Sequence, residues 1–287
     1  MVLHGAKALA VPLKFGQRMV VHTIPGPGIL RWETYVLGKI WFTGSFNQNN
    51  LEILEASEPK TAIFLQKLLK AGRKLNPDPV FQLNGFYIQN YIDFDINWGL
   101  GSSSSLVSNL AWWLDISPYN LYRELYQGSG YDVFCARSGR PIIYQLINNL
   151  PSSEEILFNP KYSDHLYFVY LGRKQDSQQS VMHFKTKSLN DERLIGKISE
   201  LTDSLLNADT LEDFMTVMRL HEEIISSILG LKQVKEELFP DFQGEIKSLG
   251  AWGGDFVMAA TPISYHDVID YFRNKNLQVV FKWNEII

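Results

Sequence analysis

The chain has 287 residues, about two domains' worth at ~150 residues each, enough to bury a large core without disulfides or metal staples. Its 45% hydrophobic and 20% charged residues are a globular composition, which excludes long disorder, collagen-like repeats and coiled coil as the main architecture. A formal net charge of −4 excludes a broad electrostatic footprint for nucleic acid or an anionic membrane, while leaving room for a local anion pocket.

In chain order, Ala8 to Val11, Arg18 to Thr23 and Ile29 to Leu37 read as strands, punctuated by Pro25-Gly26-Pro27-Gly28. Gly38-Lys39 then predicts a hairpin into Ile40-Trp41-Phe42. Ser57 is placed to cap a helix with Pro59 at its first position, and Ile63, Leu65, Leu68 and Leu69 give that helix a buried stripe up to Gly72. Phe86 to Phe94 reads as a strand. After Asn97-Trp98-Gly99-Leu100-Gly101 comes a helix over Ser102 to Leu114, with Leu106, Leu110, Trp113 and Leu114 at helical spacing. Ser117-Pro118 opens a short helix through Glu124 that closes near Gly128. Residues 151–163 (PSSEEILFNPKYS) are polar and Pro/Ser-containing and mark a domain boundary, dividing the chain into 1–155 and 156–287. Beyond it the pattern predicts a strand at Leu166 to Leu171, amphipathic helices at about 189–206 and 211–230, β structure from Gly250 to Thr261, a helix from Tyr265 to Arg273 and a last strand from Leu277 to Trp283. Helices and strands alternate without a βαβ repeat of constant period, so the class is α+β.

Cys135 is the only cysteine, so no intrachain disulfide forms and a reduced, cytoplasmic setting is expected. No apolar run approaches the roughly 20 residues that cross a bilayer, and the opening MVLHGAKALAVPLK lacks the ordered zones of a signal peptide. The expectation is a chain that is neither membrane-spanning nor exported. His221-Glu222-Glu223-Ile224 lacks the second histidine of a zinc motif, and the remaining histidines are scattered. The aromatics have no basic interleaving, which argues against a nucleic-acid platform.

Three glycine-rich loops carry the chemistry. The first, Gly99-Leu100-Gly101-Ser102-Ser103-Ser104-Ser105, sits at a predicted helix start, where glycines let backbone approach a ligand and unsatisfied N–H groups favour a phosphate. Neighbouring hydroxyls suit Mg²⁺, a hard cation. An isolated Gly-x-Gly is nonetheless more often a tight loop with serine caps; no Walker lysine follows, and the third glycine of a dinucleotide fingerprint is missing. The second, Gly128-Ser129-Gly130-Tyr131-Asp132, presents an acid able to accept a hydroxyl proton, although a turn-stabilising Asp is the commoner use of such a residue. The third, Leu249-Gly250-Ala251-Trp252-Gly253-Gly254-Asp255, runs into a strand and reads equally as a hairpin or bulge loop.

In this order the three loops resemble the motifs of the GHMP kinases, the galactose, homoserine, mevalonate and phosphomevalonate kinase superfamily. The likeness reaches back to Val2-Leu3-His4-Gly5-Ala6-Lys7-Ala8-Leu9-Ala10, which is similar to the tail of the family's first motif, so it covers nearly the whole chain. The phrasing around Gly130-Tyr131-Asp132 is most similar to the bacterial mevalonate and phosphomevalonate kinase branch.

The resemblance implies a two-domain α+β fold, S5-like then ferredoxin-like, with ATP and a substrate in the cleft between the domains. It implies a phosphate loop of Gly99, Leu100, Gly101, Ser102, Ser103 and Ser104, with Ser103 and Glu124 as Mg²⁺ ligands and Asp132 as the base; a solvent-facing helical glutamate is an equal reading of Glu124. Gly250, Gly253, Gly254 and Asp255 match the third loop, which supports the first. Arg173 and Lys174 fall where the related branch keeps a substrate loop and would meet an anionic small molecule, with Arg137 and Arg140 of the same standing; a solvated basic turn is the commoner use of such residues. A homodimer is compatible with the pattern.

One departure bears on activity. The family's first motif starts with a strand carrying Pro-Gly-Lys and a Gly-Glu-His segment, and Met1 falls after both, with Lys7 and Lys14 too late to replace the lysine. The expectations are a start that lies further upstream, or a nucleotide-binding protein with weakened catalysis, its sheet left with an unpaired edge. Asn97-Trp98 is also bulkier than the residues that precede this loop in many members. Within the enzyme class, a homoserine or sugar kinase is the alternative to mevalonate or phosphomevalonate.

Overall fold

The computed structural model describes residues 1–26, 28–77, 84–172, 191–250 and 255–287. Its contacts divide into two compact units, one of residues 15–96 and 100–137 and the other of residues 1–14, 97–99 and 138–287. The division falls at 137/138, and the first fourteen residues join the second unit. Strand pairing explains this. Residues 150–155, which overlap the start of the polar 151–163 stretch, form an exposed edge strand hydrogen-bonded to its neighbour.

The 15–96/100–137 unit is a five-stranded mixed sheet carrying helices. Strands β2 (Gln17–Ile24), β3 (Ile29–Val36), β4 (Lys39–Asn47), β5 (Ile53–Ala56) and β6 (Gly85–Ile92) lie in the order β2-β6-β3-β4-β5. Only the β3/β6 pair is parallel. Along β3 the buried residues alternate as Leu30, Trp32 and Thr34, the period of two that assigns one sheet face to the core. The β3–β4 turn is Leu37-Gly38, one residue earlier than the sequence pattern indicated; both have positive φ, as a two-residue hairpin demands. Among the described residues, helices α1 (Pro59–Leu75), α2 (Ser102–Trp113), α3 (Pro118–Leu125) and α4 (Tyr131–Cys135) belong to this unit. Their Leu65, Leu68, Leu106, Leu110, Leu121 and Val133 join Trp32, Phe42 and Phe46 in one core.

Glu58, not Ser57, caps α1, its carboxylate accepting from the Lys60 and Thr61 N–H groups at 3.1 and 2.6 Å. Ser57 is drawn away, because its hydroxyl accepts from the Thr43 N–H at 2.9 Å across β4 and β5. For α3 the expected cap holds, with Ser117 accepting from the Asn120 N–H.

Among the described residues, the other unit has two sheets. Edge strand β1 (Ala8–Ala10) pairs with β7 (Ile142–Ile147), which pairs with β8 (Leu150–Glu155), all antiparallel. The second sheet has the antiparallel order β10-β11-β9-β12, from β9 (Leu166–Tyr170), β10 (Glu245–Ser248), β11 (Phe256–Ala260) and β12 (Val280–Lys282). β10 escapes the sequence pattern. The final strand is shorter than expected, and Trp283 instead begins a terminal turn, α9 (Trp283–Ile286), where it is buried. Helices α5 (Glu192–Leu206), α6 (Leu211–Leu229), α7 (Val234–Leu238) and α8 (Tyr265–Asn274) belong to this unit. Phe239, Phe242, Val268 and Phe272 pack with Val169, Ile246 and Val257.

Glu222 on α6, read in the sequence only as part of an incomplete metal motif, is 1% exposed. It accepts from the Ser248 N–H at 3.2 Å and lies 3.7 Å from the Lys247 ammonium on β10. Burial pushes its carboxyl up to about 7 despite the nearby cation, and burial also lowers the Lys247 ammonium. Among the described residues no helix is long and apolar enough to cross a membrane.

Candidate functional site

The first glycine loop follows β6 through a turn at Ile96–Trp98 and ends at α2. Gly99 and Gly101 have φ of +68° and +86°, a region L side chains rarely adopt, and Gly101 is the residue at the helix boundary. Among the described residues no side chain caps α2. Its first intrahelical bond runs from the Ser105 N–H to the Gly101 carbonyl at 2.9 Å, so the N–H groups of Ser102, Ser103 and Ser104 precede the helical ladder. That leaves donors and the positive end of a three-turn dipole for an anion.

The four serines have different surroundings. Ser105 turns inward, its hydroxyl donating to Gln17 Oε1 at 2.6 Å. Ser104 is buried and donates to Asp132 Oδ2. Ser103 is exposed and shares a hydrogen bond with the Tyr126 phenol. Ser108, one turn beyond Ser104, donates to the Val133 carbonyl at 3.3 Å, so two serines at i and i+4 fix α2 against α4.

Asp132 lies in the first turn of α4, behind Gly130 with φ +80°. The glycines of this loop admit the tyrosines of α3. A Cβ at Gly128 would stand 2.0 Å from the Tyr122 hydroxyl, and one at Gly130 would stand 3.1 Å from the Tyr119 ring. Asp132 Oδ1 accepts from its neighbour's N–H, Val133, at 3.0 Å. Burial holds its carboxyl above the ordinary range, while the Ser104 hydroxyl and the Val133 N–H pull the other way. Burial also pushes Tyr126 up to about 12 and the Cys135 thiol up to about 11, with the Asp132 charge adding to both, so these groups stay neutral around it.

In the other unit, the Asp255 carboxylate is pressed against Gly99. A Cβ there would lie 2.1 Å from Asp255 Oδ2, so the first and third loops meet at a position only glycine can fill. The Asp255 carbonyl accepts from the Leu171 N–H at 2.8 Å, which fixes it at the end of β9. Gly250 is left-handed with φ +61°.

Other candidates go elsewhere. The Glu124 carboxylate is held by the Lys74 ammonium at 2.8 and 2.9 Å. Lys7 pairs with Asp203 at 2.7 Å and Lys14 bonds the Asn284 carbonyl at 2.5 Å. Arg137 stands 5.5 Å over the Trp112 ring and donates to the Ser108 carbonyl at 3.4 Å. Arg173, Lys174, Gly253 and Gly254 lie outside the described residues. The Ser104–Asp132 bond and the Tyr126 partner of Ser103 were not read from sequence; the one-turn spacing of Ser104 and Ser108 was the available sign.

Among the described residues no group of three His, Cys, Asp or Glu side chains is arranged to hold a metal ion. The exposed Ser103 hydroxyl fits a Mg²⁺ ion that takes most of its oxygens from water and a polyphosphate, the usual habit of that ion.

No protein-family model and no curated protein sequence matches the chain. Solved structures do. A mevalonate kinase from L. major, in complex with R-mevalonate, is similar at 15% identity over 98% of this chain and 90% of that one, with a TM-score of 0.67. A phosphomevalonate kinase from Streptococcus pneumoniae, in complex with phosphomevalonate and AMPPNP, is similar at 15% identity over 96% of this chain and 99% of that one, with a TM-score of 0.64. A galactokinase from Lactococcus lactis, complexed with galactose, is similar at 12% identity over 95% and 84%, with a TM-score of 0.63. Alike over nearly its whole length to kinases of three different small molecules, the chain has the α+β fold of these kinases, and the likeness does not favour one of the three over the others.

Proposed function

We propose that the protein is an ATP-dependent small-molecule kinase that transfers the γ-phosphoryl group of MgATP to a hydroxyl or phosphate of an anionic substrate, mevalonate or phosphomevalonate first among the candidates. The observation that carries this reading is the Ser104–Asp132 hydrogen bond, which ties a carboxylate to the first turn of an uncapped, glycine-preceded helix. An acceptor for a hydroxyl proton thus stands beside a set of phosphate donors. The kinases with the same fold that were solved with mevalonate, phosphomevalonate and galactose support small-molecule chemistry.

In this mechanism the N–H groups of Ser102, Ser103 and Ser104 and the α2 dipole hold phosphate oxygens, and Ser103 offers its hydroxyl to Mg²⁺. When bound, Mg²⁺ neutralises charge on the phosphates. Asp132 orients the substrate hydroxyl and takes its proton as the hydroxyl oxygen bonds to the γ-phosphorus; the bond from that phosphorus to the β,γ-bridging oxygen breaks and ADP leaves. For a phosphate acceptor, Asp132 only orients. Neutral Tyr122 and Tyr126 beside Asp132 add no competing negative charge.

The test is ADP release from MgATP in the presence of mevalonate, phosphomevalonate, homoserine and galactose in turn. Turnover with mevalonate or phosphomevalonate is expected. Turnover with homoserine or galactose alone moves the assignment to that substrate, and MgATP binding without turnover on any alcohol refutes the kinase reading in favour of a nucleotide-binding protein.

A further inference from the structure

The residues that lead into the phosphate loop, Asn97–Gly99, belong to the contact unit of residues 138–287, whereas Leu100 onward belongs to the other. Trp98 is the reason. Its ring lies 5.3 Å from Phe281 and 6.4 Å from Phe256, both edge-on, and 6.5 Å from Tyr170. These partners come from β12, β11 and β9, three adjacent strands. Tyr170 and Phe256 are directly paired across β9 and β11, and Phe281 pairs with Phe168, two residues from Tyr170, so all three rings share one sheet face. The Tyr170 hydroxyl donates to the Asn97 carbonyl at 3.1 Å, and Asp255, adjacent to Phe256, stands against Gly99. One indole therefore docks the entry of the loop on a rigid sheet, with a polar tie on its upstream side and a close backbone approach on its downstream side.

A glycine-rich loop that must be ordered by its ligand loses conformational entropy on binding, and a loop held beforehand does not. We infer that Trp98 is a positioning residue for the nucleotide: its packing on β9, β11 and β12 holds Gly99 in its left-handed conformation against Asp255 before the phosphates arrive. This rests on the proposed kinase function for the identity of the ligand, but the anchoring itself does not.

The experiment compares Trp98→Ala, Trp98→Phe and Phe281→Leu with the wild type in the full chain. MgATP affinity is measured by calorimetry, kcat and KM are measured with the active alcohol, and hydrogen–deuterium exchange at residues 97–101 is followed without nucleotide. Trp98→Ala is expected to raise the MgATP Kd about tenfold. Its kcat at saturating MgATP should change less than about threefold, and exchange at 97–101 should speed up while residues 106–113 keep their protection. Trp98→Phe restores most of the affinity, and Phe281→Leu, which leaves the indole in place, gives an intermediate loss. Wild-type affinity in Trp98→Ala overturns the inference, as does unchanged exchange at 97–101. A wild type that binds no MgATP refutes the kinase reading, and exchange then decides the anchoring by itself.

Discussion

Ser104→Ala isolates the contact on which the catalytic assignment rests. Asp132 accepts from the Ser104 hydroxyl, from the Val133 N–H at 3.0 Å and from its own N–H, and all three oppose the burial that holds its carboxyl above the ordinary range. A hydrogen bond to a charged group contributes about 1.5–3 kcal/mol. Removing the Ser104 donor disfavours the carboxylate by up to that amount, so at a fixed pH on the acid limb the ionised fraction, and with it kcat/KM, falls roughly 10- to 150-fold. The sign follows from the direction of the shift. A carboxyl pushed further up keeps its proton to higher pH, so the acid limb moves to higher pH and the two proteins converge where both are ionised. The variant retains the Ser104 main-chain N–H, so its KM for MgATP should stay within about threefold of wild type. The assay is kcat/KM for the active alcohol across the pH range at saturating MgATP. Superimposable profiles would show that Ser104 does not tune Asp132, and a uniform loss at every pH would place Ser104 in the fold alone.

Gly99→Ala puts a side chain into a left-handed conformation and drives a Cβ to 2.1 Å from Asp255 Oδ2. It is expected to lower unfolding free energy by about 1–2 kcal/mol and to weaken MgATP at least about tenfold; wild-type binding by calorimetry contradicts the contact. In the unit of residues 138–287, the buried acid Glu222 is raised by burial from an ordinary 4.5 to about 7. An unfolded chain releases that proton at lower pH than the fold does, so this group's contribution to stability falls as pH climbs from about 4.5 to 7, by about 3 kcal/mol at most. Lys247 and His221 titrate in the same cluster, so urea unfolding of wild type against Glu222→Gln at pH 5 and pH 8 isolates the effect, and a difference independent of pH contradicts it. Glu124→Gln removes a half-exposed ion pair with Lys74 and should cost about 1 kcal/mol or less, with the Mg²⁺ dependence of turnover unchanged; a weakened Mg²⁺ response makes Glu124 a ligand after all.

The strands and main helices were legible because their patterns are local. Leu30, Trp32 and Thr34 alternate on β3, and α2 buries Leu106, Val107, Leu110 and Ala111. What escaped depends on contacts across the chain. The α1 cap fell to Glu58 because Thr43 takes the Ser57 hydroxyl, and polar residues 150–155 are a strand because β7 pairs with them. β10 is four residues long with two charged side chains, and only pairing with β11 and the tie to Glu222 mark it. In the site, glycines that needed positive φ announced the loops, and the fold family followed from their order. The partnership of Ser104 with Asp132, on separate helices, is hinted at only by the one-turn spacing of Ser104 and Ser108, and the docking of Trp98 on three strands is a tertiary fact that no spacing encodes.

The central claim, that Asp132 serves phosphoryl transfer beside a phosphate-binding helix start, is tested most directly by ³¹P NMR of MgATP with mevalonate, wild type against Asp132→Asn, with MgATP affinity measured on both. A new phosphomonoester signal and ADP are expected with the wild type, almost none with Asp132→Asn, and closely similar nucleotide affinity in the two. Equal rates of product formation would contradict it.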